Sequence, residues 1–265
     1  MTIRIEHHRD CAAGPTGAVA PAGAATGPVL MTRITLDRAA KGNSLSSALV
    51  AELATALSTA ARDGTRLLLI DADGPNFCTG FDLSNLDDEN DDSLLARIVR
   101  VELLLQQLYR ARCLTVAVAQ GRAWGAGADL FAACSQRWVR DDAGFSFPGA
   151  GFGLVLGTAR LAARVGSAQA EAWVTSGFRF DAPTALSAGL ATRRLAATDP
   201  VADALDIARS TARLDDVTLA SIREAAAFRP VVDDAVDLER LVRSAARPGL
   251  GDRIRAYRAA LTKRR

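Results

Sequence analysis

The stretch GRAWGAGADLFAACSQRW, residues Gly121 to Trp138, sets three glycines, at 121, 125 and 127, just ahead of one carboxylate, Asp129, and then an apolar run. Because LTVAVAQ (114–120) before it is β-branched and apolar, the whole segment reads as a strand running through a glycine turn into a buried helix. Free backbone N–H groups at a strand end and a helix N-terminus are natural donors to a developing negative charge. Glycines at such a turn also simply permit a tight bend or close helix packing, and a single cluster favours that plainer reading.

Working outward, TIRIEH (2–7) and VLMTRITLDR (29–38) alternate like half-buried strands. They are joined by CAAGPTGAVAPAGAATGP (11–28), whose Ala, Gly and Pro content predicts a long flexible hairpin connection. SLSSALVAELATALSTAARDG (44–64) begins with candidate serine N-caps, keeps apolar residues at helical spacing and stops at Gly64. TRLLLIDADG (65–74) is then a strand, an acidic loop follows to Ser93, and LLARIVRVELLLQQLYRA (94–111) is a second helix. Strand, helix and strand in this order predict an α/β protein with a βαβ-like unit. Beyond Trp138 come a strand and a Gly-rich loop (137–157), two helices (158–177), a short helix leading to a strand (182–195), and a helical tail broken at Pro230 and Pro248.

The 265 residues suffice for one large domain, or one domain with a small appendage, and a composition 49% hydrophobic and 23% charged is that of a globular protein. Charge is nearly balanced, 32 basic against 30 acidic residues, and scattered, which argues against nucleic acid as a partner. Lys41 and Lys263 are the only lysines; the other basic residues are arginines. Cys11, Cys78, Cys113 and Cys134 show neither a C-x-x-C pair nor metal-ligand spacing, so reduced buried thiols and no metal are expected. The only histidines are adjacent, His7 and His8, leaving none for His-centred catalysis elsewhere. The N-terminus lacks a signal-peptide pattern and no uncharged apolar stretch reaches membrane-spanning length, so a cytoplasmic protein with no membrane partner is expected. GAGADL ends in Leu130 where a dinucleotide fingerprint needs glycine, and no phosphate-binding loop or nucleophile elbow is present.

Four segments, ITLDRAAKGNSLSSALVAEL, LLLIDADGPNFCTGFDL, TVAVAQGRAWGAGADLFAACSQRWV and FSFPGAGFGLVLGTARLAARVG, occur in the order and spacing of the crotonase superfamily, the enoyl-CoA hydratase/isomerase proteins, which the chain resembles over about residues 29 to 200. The resemblance implies a spiral of ββα units as a core domain (1–198), a C-terminal helical domain (199–265), and a homotrimer or hexamer. It implies an acyl-CoA substrate, with coenzyme A as part of that substrate and no separate cofactor. Two backbone amides hold the enolate of the bound thioester in this family; matched residue by residue they are those of Thr79 and of Ala126, the latter standing where glycine is usual.

Hydratases of the family carry two glutamates. Asp129 holds the first position, one methylene shorter, and Gly149 replaces the second. Water addition needs one group to activate water and another to deliver a proton, whereas moving a double bond needs a single base that returns the proton elsewhere, so a lone Asp129 fits the second task. Burial beside an apolar pocket would raise its proton affinity and help the return. Two other routes stay open at Gly149: a bound anion, as in some ring-closing relatives, or an acid from the loop, Asp87, Asp88, Glu89, Asp91 or Asp92, for each of which a solvated charge is the better reading. Gly157, at the place where thioester- and halide-cleaving relatives carry another carboxylate, disfavours those reactions.

The resemblance implies coenzyme A along DRAAKGNSLS and FCTGFDLSN, on Lys41, Asn43, Cys78, Gly80, Asp82 and Leu83, chiefly through backbone; Lys41 reads equally as a phosphate contact or a solvated surface lysine, and Lys263 and Arg264 are further candidates for the phosphates. Phe145, Phe147, Phe152 and Trp124 are candidates to shape the acyl pocket, although aromatics at such places are more often core. The expectation is thus an enoyl-CoA isomerase or hydratase with Asp129 as its single acid/base; the alternative is a catalytically silent acyl-CoA-binding auxiliary subunit.

Overall fold

The computed structural model describes residues 2–9, 29–196, 199–227 and 233–262. The expected hairpin connection (11–28), Cys11, Pro230, Lys263 and Arg264 lie outside them.

Six strands, β1 (Ile3–Arg9), β2 (Val29–Leu36), β3 (Leu67–Ala72), β4 (Leu114–Ala119), β6 (Gln136–Val139) and β9 (Arg193–Arg194), form one sheet in the order β1-β2-β3-β4-β6-β9. Only the β1–β2 pair is antiparallel. Its central strands are apolar on both faces, as a parallel sheet covered on two sides requires. Leu68 and Ile70 of β3 enter one core with Ile34, Leu36, Ala117 and Ala119, while Leu67 and Leu69 enter another with Met31, Val116 and Val118. Helix α1 (Ser47–Arg62) covers the first face with Leu49, Leu53, Ala56, Leu57 and Ala60, and its first turn is capped by Ser46, whose side chain accepts from the Leu49 amide. Helix α2 (Asp91–Tyr109), started by a reciprocal Asn90–Ser93 capping box, adds Val101, Leu104, Leu105 and Leu108.

A second sheet contains β5 (Arg122–Trp124), β7 (Gly144–Ser146) and β8 (Phe180–Asp181), in the order β5-β7-β8. The chain leaves β4, turns at Gly121, adds β5 to the small sheet and enters helix α3 (Ala126–Ala133). It then repeats the move, from β6 through β7 to helix α4 (Thr158–Val165). Single bridges, Leu45 to Phe81 and Cys78 to Ala123, take the place of the short strand in the earlier turns. The result is the expected α/β spiral of ββα units. The short strands β5, β7 and β8 escape a reading by periodicity because two or three residues carry no period.

The remaining helices are α5 (Ser167–Ser176), α6 (Ala182–Ser187), α7 (Val201–Ser210), α8 (Asp216–Ala227), α9 (Asp234–Ala245) and α10 (Leu250–Thr262). Helix α7 covers the second sheet face with Ala204 and Ala208. Helices α9 and α10 pack on α2 through Leu241, Ala245, Leu250 and Ile254 against Leu94 and Ile98. No described helix is long and apolar enough to cross a membrane.

What sets the depth of α3 is Gly127. A Cβ there would lie 2.2 Å from the Cys78 carbonyl oxygen and 2.8 Å from its carbon, so helix and loop backbones meet with no room for a methyl group. Gly127→Ala gains helix propensity but must push the two backbones apart, and urea denaturation should show a net loss of ~1–3 kcal/mol. Wild-type stability in this variant would mean that α3 is not held against the loop.

Candidate active site

Three segments converge on the first turn of α3. The loop after β3 runs beside it: the Phe77 and Cys78 amides donate to the Gln120 and Arg122 carbonyls (2.9 and 3.1 Å), and the Trp124 amide donates back to Cys78 (3.0 Å). The segment from Arg38 to Leu45 runs along the other side, with the Leu45 amide on the Gly80 carbonyl (2.8 Å) and the Asp82 amide on the Leu45 carbonyl (3.2 Å). The Gly-rich loop 147–157 closes the third side; there, a Cβ on Gly157 would fall 2.0 Å from Asp129 Oδ1.

This pairing corrects the expected oxyanion donor. The Thr79 amide donates to the Gly42 carbonyl at 3.0 Å and is not available to a ligand. The Phe81 amide is: Leu45 bonds with the residues on either side of it, so it faces away from Leu45, and it has no acceptor among the described residues. The Ala126 amide, the first of α3, likewise has no acceptor among them, as expected of a first-turn N–H. Gly80 brings the two close, since a Cβ on it would lie 2.7 Å from the Trp124 carbonyl oxygen and 3.6 Å from the Ala126 nitrogen. Alanine at 126 costs nothing in backbone geometry: Asn43 is the one described non-glycine residue with positive φ.

One turn along α3, Asp129 is 5% exposed, and its Oδ1 has no hydrogen-bond partner among the described residues. Desolvation raises its proton affinity well above that of an ordinary aspartate; the nearby Arg160 guanidinium opposes this and the Glu102 carboxylate adds to it. Arg160 (α4) and Glu102 (α2) are both fully buried and paired in a fork, Nη1 to Oε1 at 2.8 Å and Nη2 to Oε2 at 2.5 Å. Gln106 Nε2 also donates to Glu102 Oε1 (2.9 Å). The sequence carried a signal for this pair: Glu102 interrupts the apolar stripe of α2 between Ile98 and Leu105, and a carboxylate on a buried helix face needs a cation.

The expected coenzyme A residues are brought together but are mostly committed elsewhere. The Asn43 side chain accepts from the Arg38 amide (2.8 Å) and donates to the Asp73 and Asn76 carbonyls (2.9 and 2.8 Å), so it fastens two loops. Cys78 is fully buried, its thiol pushed up to about 12 by desolvation, and its amide and carbonyl are both bonded. Asp82 pairs with Arg38 (2.7 Å) and is held below the usual carboxylate range by its bonds from Ser84 and Arg38, against the cost of burial. The Leu83 carbonyl accepts from Arg258 (3.3 Å). Lys41 is exposed on a short 3-10 turn (Ala39–Lys41).

Among the loop acids, Asp91 caps α10 by accepting the Gly249, Leu250 and Gly251 amides (2.8, 3.1 and 2.9 Å), and Glu89 and Asp87 pair with Arg97 and Arg255. A Cβ on Gly149 would meet Leu154 at 3.9 and 4.0 Å, ordinary van der Waals contact, so a side chain could start there without strain. Of the candidate pocket aromatics, Phe145 and Phe147 belong to the core, Phe152 packs on Tyr257, and Trp124 lies between Arg122 and Arg179.

The enoyl-CoA hydratase/isomerase family model matches residues 29–238. The chain belongs to the enoyl-CoA hydratase/isomerase family, within the crotonase superfamily. It is 34% identical over 180 residues to the probable enoyl-CoA hydratase echA6 of Mycobacterium tuberculosis, covering 66% of this chain and 72% of that one. An enoyl-CoA hydratase/isomerase structure from Bordetella parapertussis is 36% identical and superposes with a TM-score of 0.86, covering 98% of this chain and 99% of that chain. A Mycobacterium paratuberculosis enoyl-CoA hydratase/isomerase, 21% identical with a TM-score of 0.75 over 96% of this chain and 98% of that one, shares the fold.

The raised proton affinity of Asp129 has a sign in stability. A carboxyl that binds its proton more tightly folded than unfolded stabilises the fold fully below its unfolded value, and that stability is lost as pH rises toward the folded value. Asp129→Asn, which never ionises, should therefore gain stability relative to wild type as pH rises above the ordinary aspartate range in urea titrations; a constant difference would show that Asp129 titrates normally.

Proposed function

We propose that this family member acts on an enoyl-CoA thioester by moving a single proton. The thioester oxygen would lie between the Phe81 and Ala126 amides, which take up the negative charge formed when a carbon-bound proton leaves. Two preorganised N–H donors in a water-poor site stabilise such an enolate far better than water does. Asp129, one turn from Ala126, accepts the proton from the α or γ carbon as carboxylate and returns it to the other as acid. The observation that carries the reading is Asp129, buried one turn from the Ala126 amide with its Oδ1 unpartnered among the described residues, in a chain that has glycine at 149 in place of a second acid. One group that takes and returns a proton suits isomerisation; hydration lacks its second partner. Coenzyme A enters as part of the substrate, with Lys41 as its exposed cation, and a homotrimer or hexamer is the expected assembly.

A second reading, an acyl-CoA-binding subunit without turnover, is favoured by the nearly complete burial of Asp129. One experiment separates them: purified protein with crotonyl-CoA and with 3-hexenoyl-CoA in heavy water, followed by mass spectrometry. Deuterium uptake or double-bond migration, falling at least a hundredfold in Asp129→Asn, is the expected outcome. Tight binding without exchange in either protein would leave the binding-subunit reading standing.

A further inference from the structure

Asp129 shares its buried surroundings with one guanidinium, that of Arg160. Gly157, whose position touches Asp129 Oδ1, and Arg160 are three residues apart and so lie on one face of the first turn of α4. A guanidinium so placed would ordinarily become the counterion of the aspartate. It does not, because Glu102 reaches across from α2 and claims both Nη groups. Asp129 Oδ1 and Arg160 Nε are each left buried without a partner among the described residues.

Two further charged groups lie nearby. On α9, Asp237 faces Arg160, accepts from Arg240 at Oδ1 (3.1 Å) and keeps Oδ2 buried without a partner among the described residues, and Arg164 of α4 donates to the Ala132 and Cys134 carbonyls at the end of α3 (3.0 and 3.1 Å). Of the strands packed on α3, β4 has no titratable residue, and β5 offers only Arg122, exposed and stacked on Trp124. Loop 148–157 has no charged residue.

We propose that Glu102 and Arg160 are positioning residues for the proton carried by Asp129: by holding both Nη groups, Glu102 denies Arg160 to Asp129 and keeps it a proton-holding group rather than a counterion. This rests on Asp129 as the proton carrier of the site. Removing the Glu102 charge leaves Arg160 a buried cation on which both Asp129 and Asp237 act; Asp237 already accepts from Arg240, so the ionised form of Asp129 is the one that gains. A base so paired holds a proton poorly and returns it poorly to carbon.

The test is an NMR pH titration of protein labelled with 13C at the aspartate carboxyl, the Asp129 signal being assigned with Asp129→Asn. In Glu102→Gln the Asp129 proton affinity should fall at least about tenfold, one unit in its midpoint. In Glu102→Asp, which keeps the charge but is one methylene too short to hold both Nη groups, it should fall less and in the same direction. Should Glu102→Gln yield no folded protein, Glu102→Asp decides alone. An unchanged or raised midpoint in the folded variants overturns the proposal, and so does a wild-type Asp129 that titrates like an exposed aspartate. Deuterium exchange into crotonyl-CoA, followed in parallel, should move its pH profile down with the midpoint. If wild type shows no exchange, the functional reading fails while the titration still decides the role of Glu102.

Discussion

The site depends on one close approach, the backbone of α3 at Gly127 against the Cys78 carbonyl. Backbones that near can be neither slid nor rotated independently, so the direction of the Ala126 amide and the path of the chain through Gly80 and Phe81 are fixed together. The two sheets serve this contact. The large sheet delivers β3 and β4 side by side, and the small one, through the Gly125 amide on the Ser146 carbonyl (2.8 Å), holds the start of the helix. Packed apolar layers on both faces of the large sheet supply the rigidity that holds the loop after β3 against the start of α3.

Around this backbone frame the electrostatics are spare. Arg160, Glu102 and Asp129 share the interior between α2, α3 and α4, and Arg160 is matched to Glu102, while Arg164 is taken up by the carbonyls at the end of α3. The other acids near the site work structurally: Asp82 on Arg38, and Asp91 on the first amides of α10. The chain thus uses carboxylates freely as fasteners and keeps one in reserve.

Much of this was legible before the structure. The apolar run at 67–72, the β-branched run at 114–119 and the capped apolar stripes of α1 and α2 announce themselves in the sequence, and four ordered segments were enough to point to the family. Asp129 and Ala126 were legible because they belong to one local motif. That the Thr79 amide is taken and the Phe81 amide left open is not legible in FCTGFDL, because it is decided by Gly42 and Leu45, more than thirty residues earlier in the chain. The structural use of the Asn43 side chain is hidden for a similar reason: its φ of 53° and its bonds to the Asp73 and Asn76 carbonyls are tertiary facts. The partner of Glu102, 58 residues away, could be demanded from the sequence but not named.

The glycines also divide the site by its capacity for change. At 80, 127 and 157 an added methyl group meets backbone or the Asp129 carboxylate, so variation there is paid in the position of the site itself. At Gly149 the nearest atoms would lie at ordinary van der Waals distance. The frame around α3 thus tolerates little at those three positions, while a side chain, an acid included, could be added at 149 without moving the backbone.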